Sequence, residues 1–280
     1  VQIVTSSQHT IPPPLAAAAV HVADLLNPET IRPLLQATRP THLLHFAWTA
    51  TPGVYWTSPD NRRWLAASTL LLREFCEVGG KRAVMAGSCA EYDWTAAGVC
   101  AEATSPTIAR DGATPYAACK LELQEILRSI GRQAGISTAW GRIFFQYGPH
   151  EHESRLVSSV INALLRGAPA LCSHGRQIRS FLHAADVGSA FAALLTSPVE
   201  GIVNIGAAEP ISIAALIGMI GAQIGRPELI RLGARPAPAD EPPVLLPATA
   251  RLTDEVGWRP KFSLDLGIAD TIAWWRRQPA

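Results

Sequence analysis

The sequence has no run of about 18 apolar residues, so no segment is long enough to cross a bilayer as a helix; the apolar stretch 15–20 is far shorter. Charge is also sparse. Charged residues make up 17% of the 280 and sum to +1, which argues against a surface built to seek nucleic acid or an anionic membrane. Lysine occurs only at Lys81, Lys120 and Lys261. The five cysteines (Cys76, Cys89, Cys100, Cys119, Cys172) form an odd set without C-x-x-C spacing, so neither a disulfide framework nor a metal site is expected, and a reducing cytoplasm suits them. An initiating methionine is missing as well: the chain opens on Val1, residues 1–4 already read as the middle of a fold, and residues upstream are expected. Neither a basic region nor a long apolar core precedes Thr5, so secretion has no support.

What is present is a 48% hydrophobic chain long enough for one large domain, or a main domain with a smaller lobe. Short apolar runs alternate with longer amphipathic segments over the first two-thirds, the pattern of a parallel sheet with helical crossovers. Strands are expected at 1–4, 20–23, 42–46, 82–86 and 137–142. Helices are expected at 28–37, capped by Asn27 with Pro28 in first position, at 60–78, stopped by Gly79-Gly80, and at 114–134. After Pro149 the rhythm changes, with helices at 155–166, 186–195 and 212–224 and strands at 180–183 and 202–205. Residues 235–247, rich in Pro and Ala, read as an extended surface loop, followed by helices at 248–256 and 263–277.

The most informative local feature is Tyr116-Ala-Ala-Cys-Lys120. Four residues apart on a helix, phenol and ammonium share a face, and the lysine is expected to lower the phenol's pKa and make it a usable acid or base. With only three lysines in the chain, a chance match is less frequent than usual, although a surface pair at helical spacing remains the alternative. The strand at 82–86 runs into Gly87-Ser88-Cys89-Ala90-Glu91-Tyr92, placing the Ser88 hydroxyl just past the carboxyl end of a parallel strand, where open α/β sheets hold ligands. A turn or helix-cap role is the alternative for Ser88.

These features, in order, resemble the extended short-chain dehydrogenase/reductases, in their nucleotide-sugar epimerase, dehydratase and reductase branch. The resemblance covers nearly the whole chain. It rests on Asp24-Leu25, His45-Phe46-Ala47, Ser88 four residues before Tyr92, the Tyr116/Lys120 pair and Arg142-Ile-Phe-Phe-Gln-Tyr-Gly-Pro149. It continues through Arg179-Ser-Phe-Leu-His-Ala-Ala-Asp186-Val187, Val203-Asn-Ile-Gly206 and Gly257-Trp-Arg-Pro260.

The resemblance implies an α/β fold: a Rossmann-like doubly wound parallel sheet with a smaller C-terminal α/β substrate lobe. Residues 1–150 would be the dinucleotide-binding domain and 151–280 mainly the substrate lobe. It implies Tyr116 as the proton donor or acceptor, Ser88 as its hydrogen-bonding partner on the same substrate oxygen, and Lys120 as the residue that tunes Tyr116 and holds the nicotinamide ribose. Asp24 and Leu25 would lie beside adenine, Ala47 would let the cofactor approach, and Ile143 would face the nicotinamide. Arg155, Arg179 and Arg235 would be substrate-side residues, since a guanidinium offers fixed donors to a diphosphate; an ordinary solvated charge is the alternative for Arg155 and Arg235. It also implies a homodimer paired through the helices at 60–78 and 114–134.

The departures from the family pattern are informative. No G-x-x-G-x-x-G turn occurs; the resemblance places a first strand, that turn and a helix before residues 1–4, which are then the second strand. After that strand, Thr5, Ser6 and Ser7 supply donors and no carboxylate, which leans toward NADP(H) over NAD(H). Cys89 and Ala90 stand where sugar dehydratases carry an Asp-Glu pair, so water elimination is not expected. Ala90 also occupies the position of the cysteine used for double epimerisation. Phe145 replaces an Asn that contacts the substrate diphosphate. Trp48, Tyr55 and Trp56 can stack on a base or sugar, or cover the core. The expectation is an NADP-dependent reductase of a nucleotide-diphospho-4-keto-6-deoxysugar, with a 4-epimerase as the alternative and a non-catalytic nucleotide-sugar binding protein as the alternative of another class.

Overall fold

The computed structural model describes residues 1–6, 18–96, 98–109, 112–237 and 241–278. At its centre lies strand β4 (Arg82–Ser88), buried almost to its end. Alternate residues of β4 serve opposite faces, as the period of two requires. Ala83 and Met85 pack with Phe75, Leu123 and Trp140, whereas Val84 and Ala86 pack with Phe191, Leu194 and Val203. A strand covered on both faces reads as a continuous apolar run, which is why residues 83–86 show no polar alternation.

The main sheet is parallel. Strands β3 (His42–His45) and β5 (Ser137–Ile143) flank β4, and β6 (Gly201–Ile205) lies outside β5, giving the order β6-β5-β4-β3. Helices α2 (Asp60–Glu77) and α3 (Pro115–Ala134) supply one covering layer, and α5 (Ala184–Thr196) the other. Strands β1 (Gln2–Thr5) and β2 (Ala19–Val22) form a separate parallel pair, and α1 (Pro28–Thr38) follows β2. The parallel α/β architecture agrees with the fold class read from the sequence.

Local chemistry sets the helix ends. The Asn27 side chain accepts from the Glu29 N–H and Pro28 opens α1, as expected. Thr114 caps α3 through the Ala117 N–H, and Gly135 closes it in the left-handed region at φ 67°, where a Cβ is disfavoured. Helix α2 ends against Gly79-Gly80.

A second core holds α4 (Leu156–Leu165), α6 (Ile213–Ile224) and α7 (Leu264–Arg276) together through Val160, Ile161, Leu216, Ile217 and Ile268. The structure corrects two expectations here. The helix expected at 248–256 is a five-residue π-helical turn, Arg251–Glu255, whose Arg251 side chain reaches back to the carbonyls of Glu200 and Ile202. The segment 235–247 is more than a surface loop: Leu245 is buried, and Leu246–Pro247 pairs in parallel with Val99–Cys100. Among the described residues no helix is long and apolar enough to cross a membrane.

Candidate active site

Strand β4 delivers Ser88 to the carboxyl edge of the sheet, and α3 delivers Tyr116 and Lys120 to the same place. After Ser88 the chain makes a single 3-10 turn, Cys89–Glu91, closed by a reciprocal cap. Ser88 Oγ accepts from the Ala90 N–H at 3.2 Å, and Glu91 Oε1 accepts from the Ser88 N–H at 2.7 Å. The turn and the catalytic position expected for Ser88 are therefore compatible roles of one residue.

Glu91 is 0% exposed, and its carboxylate is fully engaged. Trp140 Nε1 donates to it at 3.0 Å and Arg142 Nε at 2.7 Å, both from β5. Arg142 lies with its Cζ 4.4 Å from the Tyr92 ring centroid, and Tyr92 donates to Asn204 Oδ1 at 2.8 Å. Asn204 in turn donates to the carbonyls of Cys100 and Ala248. This chain of hydrogen bonds, charge-assisted at the Glu91 carboxylate, ties the end of β4 to β5 and β6. A Cβ on Gly87 would lie 2.6 Å from Glu91 Oε1, so the close approach requires glycine there.

Lys120 is 4% exposed. Its Nζ donates to the Ala86 carbonyl at 2.9 Å and lies 3.9 Å from the Trp48 ring centroid, against 5.8 Å from that of Tyr116. Burial brings the ammonium's pKa down to about 7, with Glu91 and Cys119 pulling the other way. The Tyr116 phenol departs from expectation. Its pKa is raised, chiefly by burial, with the side-chain hydrogen bond to Ser88 opposing. The helical spacing correctly puts Tyr116 and Lys120 together, but desolvation, which spacing does not report, dominates the phenol. Tyr55, Trp56 and Trp48 wall the phenol at ring-centroid distances of 4.8, 5.7 and 6.4 Å.

The remaining expected residues distribute as follows. Trp48 turns a ring face to Lys120 and donates from Nε1 to Asn61 Oδ1 at 2.8 Å. Ile143 ends β5 in register with Ser88 and Ile205, and Ala47 follows β3, half-buried. Asp24 is exposed, with Oδ1 accepting from the Leu26 N–H, and Leu25 packs on the core that includes Leu35 and Leu72. Ser6 is exposed after β1, and Ser7 lies outside the described residues. Arg179 is 1% exposed, lies 5.3 Å from the Phe145 ring centroid and donates to Glu241 Oε1 and the Pro242 carbonyl. Arg155 is exposed, its Cζ 5.6 Å from the Tyr55 ring centroid. Arg235 stands apart, exposed, its N–H donating to the Cys172 carbonyl.

Sequence reading assigned no role to Glu91, Trp140, Arg142, Asn204 or Asn61. The signal available was Ser88-x-x-Glu91, the spacing of a capping box. As for a dinucleotide, the residues around Lys120 fit its nicotinamide end: a buried ammonium, two hydroxyls and the small Ala47 converge at one sheet edge. No glycine-rich turn occurs in the 280 residues to receive a pyrophosphate, so only that end of the group has a described seat.

The comparisons with known proteins agree with this geometry. The profile of the NAD dependent epimerase/dehydratase family matches residues 2–206. A dTDP-4-dehydro-6-deoxy-D-allose reductase from a Streptomyces species is 35% identical over 159 residues, 54% of this chain and 48% of that protein. A mouse dTDP-D-glucose 4,6-dehydratase is 28% identical over 170 residues, 58% of this chain and 48% of that protein. The matches thus span about half the length of these curated relatives. Among solved structures, a UDP-glucose 4-epimerase from Thermotoga maritima superposes with a TM-score of 0.84 at 18% identity, covering 99% of this chain and 90% of that one. A UDP-N-acetylglucosamine 4-epimerase from Methanobrevibacter ruminantium gives 0.85 at 19% identity, covering 98% and 90%. At such identities the structural likeness speaks for the fold, while the profile match runs through the strand end, the turn and the helix that carry Ser88, Tyr116 and Lys120. The chain belongs to the NAD dependent epimerase/dehydratase family.

Proposed function

We propose that this chain carries the catalytic residues of an NADP-dependent 4-ketoreductase acting on a nucleotide-diphospho-4-keto-6-deoxysugar. One observation carries the reading: a buried phenol beside the Ser88 hydroxyl, followed by a turn that offers no free acid or base, because its one carboxylate, Glu91, is taken up by the Ser88 N–H, Trp140 and Arg142. Burial pushes the adjacent Cys89 thiol up to about 12, so it stays neutral, and Ala90 offers nothing that titrates. Elimination of water and inversion of neighbouring carbons both need such a group. Reduction of a ketone needs only a proton donor, an oxygen-binding hydroxyl and a hydride.

In this reading Tyr116 gives its phenolic proton to the ketone oxygen as charge develops there. Ser88 Oγ binds the same oxygen. The Lys120 ammonium stabilises the phenolate left behind and then helps Tyr116 recover a proton. A bound nicotinamide supplies the hydride, and Lys120, Ala47 and Ile143 would hold that end, with Asp24, Leu25, Ser6 and Ser7 toward the adenosine. Arg155, exposed beside Tyr55, would receive the nucleotide diphosphate, with Arg179 behind Phe145 already bonded to Glu241 and the Pro242 carbonyl and Arg235 standing apart. The relative named as a dTDP-4-dehydro-6-deoxy-D-allose reductase supports the choice of substrate class.

We propose further that residues 1–150 form the dinucleotide-binding unit and 151–280 mainly the substrate lobe, and that the protein works in the cytoplasm as a homodimer. Leu70 of α2 and Ile126 of α3 line one surface groove with Ala66 and Thr69, a face suited to a two-fold partner.

The test is product analysis with NADPH and a nucleotide 4-keto-6-deoxyhexose, and in parallel with NADP+ or NAD+ and a nucleotide hexose. Stoichiometric loss of NADPH with the ketosugar is expected. Interconversion of the hexose at carbon 4 with no net reduction of the oxidised cofactor would make it a 4-epimerase instead.

A further inference from the structure

We propose that Trp48 is a positioning residue whose indole face, together with the Ala86 carbonyl, fixes the Lys120 ammonium at the Tyr116 site. The inference rests on the reading that Lys120 serves Tyr116 in proton transfer. Lys120 has three N–H donors in a place almost closed to solvent, and the hydrogen bond to Ala86 at 2.9 Å uses one. Beside that bond, an aromatic face offers a buried ammonium a further stabilising contact. Three aromatic rings surround it, and Trp48 is the nearest by about 2 Å, its centroid at 3.9 Å against 5.8 Å for Tyr116 and 6.0 Å for Trp140.

The indole is itself locked. Its Nε1 donates to Asn61 Oδ1, and Asn61, fully buried, spends its own amide on the carbonyls of Tyr55 and Ser58. Trp64, one turn further along α2, stacks on Trp48 at 26°. The start of α2 thus sets the ring, and the ring sets a side chain of α3. An ordinary hydrophobic filler at position 48 would need neither the Asn61 bond nor a cation over its face.

The charged and titratable groups facing Lys120 leave the effect readable. His45 of β3 is neutral, its pKa brought down to about 3 by burial and by Lys120. The thiol of Cys119 and the phenol of Tyr116 are both raised by burial and stay protonated at neutral pH. Glu91 alone presents a charge, and it favours the ammonium. A cation–π contact favours the ammonium as well, so loss of the ring lowers its pKa.

With only three lysines in the chain, carbon-13 and proton NMR of labelled lysine reads Lys120 directly, without substrate or cofactor. In the wild type, the Lys120 ε-methylene is expected upfield of those of Lys81 and Lys261, because the Nζ it carries lies 3.9 Å from the Trp48 ring centroid, over the indole face. In Trp48→Leu that displacement disappears and the Lys120 pKa falls by about one pH unit, as loss of a desolvated cation–π contact implies. Trp48→Phe retains a reduced displacement and an intermediate pKa. A wild-type ε-methylene without an upfield displacement overturns the proposal, a measurement that needs no variant to fold. So does an unchanged or raised pKa in folded Trp48→Leu. In turnover, Trp48→Leu is expected to lower kcat with KM for the sugar little changed, and Trp48→Phe to restore most of it. The NMR result without any ketoreductase turnover would uphold the clamp and reject the proposed reaction.

Discussion

Glu91 and Ser88 hold each other in place: the carboxylate accepts the Ser88 backbone N–H at 2.7 Å while the Ser88 side chain caps the turn that carries Glu91. The Ser88 hydroxyl is thereby placed by backbone rather than by its own rotamer alone. The same carboxylate neutralises Arg142, whose side chain is 1% exposed, so the site and the core share one anion.

Replacing Glu91 by Gln keeps an acceptor for Ser88 but leaves the Arg142 guanidinium buried without a counter-charge. Breaking a buried pair from one side costs about 3–5 kcal/mol. Urea unfolding of Glu91→Gln is expected to show a loss of that order, and Glu91→Ala at least as much. A loss below about 1 kcal/mol, the range of surface pairs, would mean that the network contributes little.

Tyr116→Phe removes the proton donor and the hydrogen bond to Ser88 while leaving the aromatic wall of Tyr55, Trp56 and Trp48 in place. Turnover is expected to fall by about 10²–10⁴-fold, the usual worth of general acid catalysis, with nucleotide-sugar binding retained. Calorimetric titration alongside the rate assay checks both. Wild-type binding with no turnover in either protein would instead favour a binding protein on a reductase scaffold.

Stability should depend on pH in a sense set by three buried groups. Burial brings His45 from 6.5 down to about 3, so its contribution is full above pH 6.5 and lost as pH falls toward 3. Burial brings Lys120 from 10.5 down to about 7, so the cost of its buried charge is relieved as pH rises from 7 toward 10.5. Cys89 acts oppositely, raised by burial from 9.0 to about 12, and its contribution is lost as pH climbs from 9 toward 12. The thermal midpoint is expected to rise between about pH 4 and about pH 9, to stay level up to about pH 10.5 where Lys120 and Cys89 oppose each other, and then to fall. His45→Gln should flatten the acid limb, and an acid limb as steep as the wild type's would assign it to other groups.

The proposed dimer places Leu70 and Ile126 in a helical interface. Sedimentation velocity should find the wild type dimeric and Leu70→Glu monomeric at micromolar concentration, with unfolding stability little changed because the residue is only half-buried on the described surface. A monomeric wild type would remove this face from the account.

Much of this was legible in the sequence because the signals are local. Asn27-Pro28 and Gly79-Gly80 mark helix ends through backbone chemistry confined to a few residues, and both ends fall where expected. The four-residue spacing of Tyr116 and Lys120 is fixed by helical geometry. The misses are non-local. Glu91 meets Trp140 and Arg142 only because β4 and β5 are neighbours in the sheet, 49 and 51 residues apart in the chain. The raised pKa of Tyr116 reflects burial under an aromatic loop, which spacing does not encode. The helix expected over 248–256 shrank to a π turn because Arg251 is drawn to carbonyls of β6 and its neighbour Glu200, a tertiary demand that overrides local propensity.

In the proposed reaction Tyr116, assisted by Ser88 and Lys120, protonates a ketone as hydride arrives at the same carbonyl. NADPH deuterated at the transferring position of its nicotinamide, incubated with a nucleotide-diphospho-4-keto-6-deoxysugar, tests it most directly. The account requires deuterium at carbon 4 of the product sugar with wild type and almost none with Tyr116→Phe. Deuterium retained on the nicotinamide with the ketosugar left unreduced by the wild type, or transfer undiminished in Tyr116→Phe, would contradict it.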